Sequence, residues 1–138
     1  MELSNCNEEI KEINFVARSA ENNGVSSKVE RISGLPPQDA GLISVAGGGS
    51  VLSTFYQDEP FYSGRDLYIL RSKENINKYA KLFIITLIKR EKYKYSYGRQ
   101  ANKTLPNIEI LLPVLPNGDP DYLFMSNYIK ALPYGDRI

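Results

Sequence analysis

Ile13-Asn14-Phe15-Val16-Ala17-Arg18-Ser19-Ala20-Glu21-Asn22-Asn23-Gly24-Val25-Ser26-Ser27-Lys28-Val29 is the stretch whose reading decides the fold. Ile13–Arg18 is short and carries β-branched and aromatic residues, so it reads as a strand. Asn22-Asn23-Gly24 is turn chemistry, because asparagine and glycine accept the backbone that a tight reversal needs. Val25–Ile32 then forms the returning partner.

Working outward, Gly34-Leu35-Pro36-Pro37 breaks the chain, since a proline also restricts the residue before it. Leu42–Ala46 reads as a strand that ends in Gly47-Gly48-Gly49-Ser50. Val51–Gln57 alternates apolar and polar residues well enough for another strand. Asp58-Glu59-Pro60 makes a turn, and Asp66–Arg71 a further strand. Asn75 then caps a long helix to about Lys92, with Ile76, Tyr79, Ala80, Phe83, Leu87 and Ile88 as its buried stripe at spacings of 3 and 4. Ile108–Val114 reads as a strand stopped by prolines. Asp119 serves as an N-cap, and Pro120 opens a short helix to about Ala131 with Met125, Tyr128, Ile129 and Leu132 on its core side. Strands come first and helices later, which points to an α+β fold: a twisted, mainly antiparallel sheet with a long helix and a short C-terminal helix. The 138 residues fit one domain, 1–138, with Met1–Glu12 as a flexible lead.

Composition narrows the function classes. No run approaches the roughly 18 apolar residues that span a bilayer, so no membrane partner is expected. The polar, acidic start is neither a secretory signal nor a transit peptide. Cys6 is the one cysteine, which leaves no internal disulfide and favours reduced, cytoplasmic residence. There is no histidine, which removes Ser-His-Asp and Cys-His nucleophile pairs, histidine metal sites and the commonest general base. Carboxylate chemistry, for example at Asp58, Glu59 and Asp66, stays open as the enzyme alternative. The leading expectation is a non-catalytic protein without cofactor or metal.

Three motifs invite chemistry and do not support it. The triple glycine at 47–49 is followed by Ser50-Val51-Leu52 and not by the lysine and hydroxyl of a phosphate loop, and the next element is a strand, not a helix N-terminus. Ser50 lacks the G-x-S-x-G spacing and any activating histidine. Asp119-Pro120-Asp121-Tyr122 is close to the Asp-Pro-Pro-Tyr loop of amino-methyltransferases, yet no glycine-rich cofactor loop accompanies it and helix capping explains all four positions.

The net charge of +1 hides a segregation. Residues 1–60 hold 4 basic and 9 acidic side chains, residues 61–103 hold 11 and 3, and residues 104–138 hold 2 and 4. Such a basic middle fits a local polyanion site, and equally a solvated lysine-rich helix face. Lys89–Lys103 is its densest part, with 6 basic residues, 1 acidic residue and Tyr93, Tyr95 and Tyr97 between them. Lys89, Arg90, Lys92, Lys94 and Lys103 are of the type that neutralises phosphates and releases counterions. Arg99, Gln100 and Asn102 are of the types that pair with guanine or adenine edges, and Tyr97 sits beside them where Gly98 breaks the helix. The loop with Arg18, Ser19, Asn22 and Asn23 is a second candidate, against which stands plain hairpin chemistry. A protein-interaction module that docks an acidic partner through the basic stretch remains the competing reading.

A series of short pieces then points to a family. Phe15–Val25 resembles the strand-and-loop opening of target-recognition domains in specificity subunits of type I, and some type II, restriction–modification systems. The likeness continues through Ile43–Ala46, Gly49–Gln57, Phe61–Tyr68, Lys92–Arg99, Ile108–Val114 and Pro120–Ile138, nearly the whole chain in order. No piece is specific by itself; the ordered series is.

The resemblance implies a fold like the DNA-reading half of adenine methyltransferases, and a chain that recognises one half of a split double-stranded DNA target. It implies an adenine methyltransferase (modification) subunit and a nuclease subunit as partners that carry the chemistry. Family subunits usually hold two such domains joined by long helices, and this sequence has one domain and a short helix. The expectation is therefore an excised C-terminal domain or a short protein that pairs with a second copy or with another subunit.

Overall fold

The computed structural model describes residues 13–94, 108–133 and 135. Met1–Glu12, expected as a lead, lies outside them. Six strands, β1 (Ile13–Val16), β2 (Val25–Val29), β3 (Leu42–Ala46), β4 (Thr54–Gln57), β5 (Phe61–Ser63) and β6 (Leu67–Leu70), precede two helices, α1 (Lys78–Arg90) and α2 (Tyr122–Ala131). The fold is α+β, as expected, with the strands shared between two three-stranded sheets in the orders β2-β1-β5 and β4-β3-β6.

The opening hairpin is present: β1 and β2 pair antiparallel, with an irregularity between Phe15 and Val16. The other edge of β1 is taken by β5 in parallel, Asn14 opposite Phe61. Period-2 alternation then sends neighbours to opposite faces. Phe15 and Tyr62 pack with Val29 on one side of this sheet. Val16 and Phe61 pack with Leu42 of β3 on the other, which joins the two sheets. β3 is the central strand of its sheet and is buried along its whole length. Its Ile43 and Val45 pack with Val51, Leu52, Ile85 and Ile88, so α1 covers that face.

Several boundaries move from their expected positions. β4 begins at Thr54 and not at Val51. Val51 and Leu52 belong to a turn, closed by the Leu52 N–H donating to the Ala46 carbonyl at 2.8 Å. Leu52 holds φ 60° and is fully buried against α1, so tertiary packing outweighs the local strand pattern there. β5 has no counterpart among the expected strands, being three residues long between turns. Ile108–Val114 forms no strand. Ile108 and Ile110 only lean on the α1 cluster, while Val114 bridges Pro120 and the Asp121 N–H donates to the Pro113 carbonyl.

The helix caps shift by two residues. Asn77, not Asn75, accepts from the Ala80 N–H at 2.9 Å. Asp121, not Asp119, accepts from the Phe124 N–H at 3.0 Å, and the Asp119 N–H is held by Asn117 Oδ1 in the preceding turn. Each sequence offers two cap-competent residues near the start, and the one whose oxygen meets the third amide onward wins. Ala80 and Ile88 are buried as expected, but so is Ile85 outside the expected stripe. The reason is that α1 serves two neighbours: the sheet on one side and α2 on the other. Phe83 meets Phe124 and Tyr128 edge-on at 6.4 and 5.6 Å, and Asn77 Nδ2 donates to Ser126 Oγ at 3.0 Å. On α2, Met125 and Ile129 are buried as expected, whereas Tyr128 and Leu132 stay half exposed. Among the described residues no helix is long and apolar enough to cross a membrane.

Two outcomes follow for stability, both measurable by denaturant titration. Phe61→Ala removes a fully buried ring from the junction of the sheets and should cost about 3–5 kcal/mol. Asn77→Ala should cost about 1–2 kcal/mol through the missing cap, while Asn75→Ala, at an exposed position before the helix, should stay within about 0.5 kcal/mol of the parent.

Candidate nucleic-acid interface

The segment from Arg18 to Gly24 leaves β1 and turns back into β2. Asn22 and Asn23 both hold left-handed backbone, φ 49° and 55°, which asparagine tolerates better than most residues. Gly24 follows at φ 78°, where a Cβ would stand 3.2 Å from Val16 and 3.3 Å from the Phe55 ring. A side chain there would be both strained and crowded, so the glycine lets the loop lie flat on β4.

The loop's polar groups are largely committed. Asn22 Nδ2 donates to the Val25 carbonyl at 2.9 Å, and Asn23 Nδ2 to the Tyr56 carbonyl at 3.0 Å. Ser19 Oγ accepts from the Glu21 N–H. Arg18 Nη1 donates to Asp66 at 3.1 Å, with both side chains about a third exposed, so the pair contributes about 1 kcal/mol or less. Its larger effect is orientation, since it ties the loop to the turn before β6. The expected glycine loop also finds its place here. Gly49, at φ 59°, lies on Arg18, where a Cβ would come 3.0 Å from the Arg18 Cβ and 3.1 Å from its carbonyl.

The C-terminal end of α1 approaches the same loop. Lys89 Nζ stands over the Phe55 ring at 5.1 Å, and Lys78 Nζ over Tyr56 at 5.4 Å, within cation–π reach. A cleft of about 450 Å³ runs between Asn23, Phe55, Tyr56 and the α1 residues Lys78, Leu82 and Lys89. A second, of about 230 Å³, is lined by Ala20, Phe55, Lys89 and Lys92. The two candidate segments thus meet across Phe55. Lys89 and Arg90 are exposed and face the negative end of the α1 dipole, and Lys92 follows just beyond it. A short 3-10 turn, Glu91–Lys94, continues the chain. Nothing is described of the Lys94 side chain, and Tyr97, Arg99, Gln100, Asn102 and Lys103 lie outside the described residues.

The sequence alone did not single out Phe55 or Gln57. Phe55 was one residue of an alternating strand, and only the approach of α1 gives it a role. Gln57 could have been noticed as a polar residue on the same side of the alternating strand as Phe55, but its burial is seen only in the structure.

The carboxylates of the enzyme alternative do not converge. Asp66 pairs with Arg18, Glu59 accepts from Asn14 Nδ2 at 3.0 Å, and Asp58 lines the cleft beside Lys78. Among the described residues no cluster of three or more such groups could hold a metal ion. At the Asp119–Tyr122 turn, burial first, then Glu74 and Asp119, raise the Tyr122 hydroxyl above its ordinary pKa.

The chain matches the family model of the type I restriction modification DNA specificity domain over residues 2–134, and it belongs to that family. It is similar to a specificity subunit of a type II restriction enzyme from Heyndrickxia coagulans, S.BcgI, at 31% identity over 122 residues. The alignment covers 87% of this chain and 35% of that protein, so the chain spans about a third of the relative's length. No solved structure matches the chain significantly.

The close approach of Gly49 to Arg18 gives a test of the loop's support. Gly49→Ala should lower stability by about 1–2 kcal/mol, because it adds a strained backbone to a clash with Arg18, and a thermal melt of the two proteins reads it.

Proposed function

We propose that this chain reads one half of a split double-stranded DNA target for a restriction–modification complex and carries out no chemistry itself. The observation that carries the reading is the meeting of the Arg18–Gly24 loop and the basic end of α1 across Phe55, in a chain of the DNA specificity domain family. Lys89, Arg90 and Lys92 stand along phosphates, and Lys94 and Lys103 extend that track. Their affinity comes from released counterions and carries no sequence information. Arg99, Gln100 and Asn102, with the loop residues Arg18, Ser19, Asn22 and Asn23, lie nearest the base edges. Tyr97 belongs to the same DNA-contacting set.

A reader of one half-site needs company. The partners of this reading are an adenine methyltransferase subunit, a nuclease subunit where the system cuts, and a second copy or another specificity domain for the other half-site. The setting is the cytoplasm, where the DNA is. The relative's name, a restriction-enzyme specificity subunit, supports this assembly.

The test is DNA selection and titration with the assembled complex. Lys89→Ala with Lys92→Ala should weaken binding to every duplex alike and flatten the dependence of log K on log salt by about 0.9 for each phosphate left without its lysine. Arg99→Ala should instead change which duplex is preferred. A complex that keeps its full preference after substitution of residues 97–103, or that ignores DNA at low salt, favours protein docking through the basic stretch and overturns the proposal.

A further inference from the structure

Gln57 ends β4, is buried, and belongs to no part of the groove surface. Its Nε2 donates to the Asn23 carbonyl at 2.9 Å and to Ser44 Oγ on β3 at 3.1 Å. Asn23 Nδ2 donates back, to Gln57 Oε1 at 3.5 Å and to the adjoining Tyr56 carbonyl at 3.0 Å. One buried amide therefore spans from the middle of the second sheet to the tip of the loop, 34 residues away in sequence. A buried amide with its donors placed leaves few alternatives, because moving the loop would strand polar groups away from water.

The loop needs such a hold. It contains two consecutive asparagines in left-handed backbone, and its own closure rests on the Ala17 N–H to the Gly24 carbonyl and the Gly24 N–H to the Glu21 carbonyl. Phe55, which meets Gly24 on one side and Lys89 on the other, sits two residues before Gln57. The amide thus fixes where the loop stands relative to the lysines of α1.

We infer that Gln57 is a positioning residue for DNA specificity, one that sets the conformation of the Arg18–Gly24 loop from beneath and never touches DNA. This rests on the half-site reading above. Its consequence is a split between discrimination and affinity: the charges of the lysine track act without the loop, whereas the loop's share in the choice among sequences depends on Gln57.

The experiment compares the parent and Gln57→Met in the assembled complex with DNA; methionine keeps the side chain's length and removes both donors and the acceptor. The affinity ratio between the preferred duplex and a scrambled one should fall about tenfold, the scale of one buried hydrogen bond removed. Binding to the scrambled duplex and its salt slope should stay as in the parent. Amide exchange at Ala17 and Gly24 should quicken while that of Ile43–Val45 does not change. An unchanged ratio in folded Gln57→Met overturns the inference, and so does an equal loss on both duplexes, which marks a residue that only stabilises the sheet. Where Gln57→Met does not fold, Gln57→Asn serves: it keeps a buried amide but is one methylene too short to reach the Asn23 carbonyl and Ser44 Oγ together. The same quickening at Ala17 and Gly24 is then expected, and its absence overturns the inference. If the parent complex ranks no duplex above another, the half-site reading fails, and exchange in these two variants alone decides whether Gln57 holds the loop.

Discussion

Val16, Leu42 and Phe61 are buried against one another between two sheets of three short strands. Sheets of that size have too little apolar face to stand alone, so each depends on the other for a dry side. From this one junction the remaining architecture follows. It sets β3 as the fully buried strand, turns the far face of its sheet toward α1, and leaves the β1–β2 loop beside the edge strand β4. Loop and helix end are neighbours because the sheets are joined, not because anything links them in sequence.

The groove that results has a division of labour. Its cationic side sits on a capped helix packed on two sides, and its loop side sits on a hairpin clipped by Arg18–Asp66 and seated by Gln57. On the half-site reading proposed above, rigid elements carry the groups that meet phosphates, a role tolerant of small shifts. On the same reading, the loop groups that meet base edges sit on a segment held by directional bonds, as accurate placement requires.

Much of the fold was legible. The hairpin at 13–29, the strand Leu42–Ala46 and both helices stand out because each has a clear period or turn signal over enough residues. What the sequence hid was set by tertiary contact. β5 is too short for a period, and its parallel pairing with β1 has no local signature. The strand expected at 51–57 loses its first half because Leu52 is worth more beneath α1 than in a ladder. At the candidate site, charge pointed to the basic end of α1 with Lys89, Arg90 and Lys92, and turn chemistry to the reversal at Asn22 and Asn23, which are the elements that the structure brings together across Phe55. Phe55 was not legible, because its place depends on a helix arriving from elsewhere in the chain.

The parallel pairing of β1 also bears on the order in which the molecule assembles. The β1–β2 hairpin closes over a short loop and is complete early, but Phe61 lies 47 residues beyond its partner Asn14. Until that long closure is made, one side of β1 remains an unpaired template of amides and carbonyls. On a ribosome, the hairpin emerges well before the strand that caps it. Until β5 has been made, the open edge of β1 is therefore a place where a nascent chain is exposed to wrong partners.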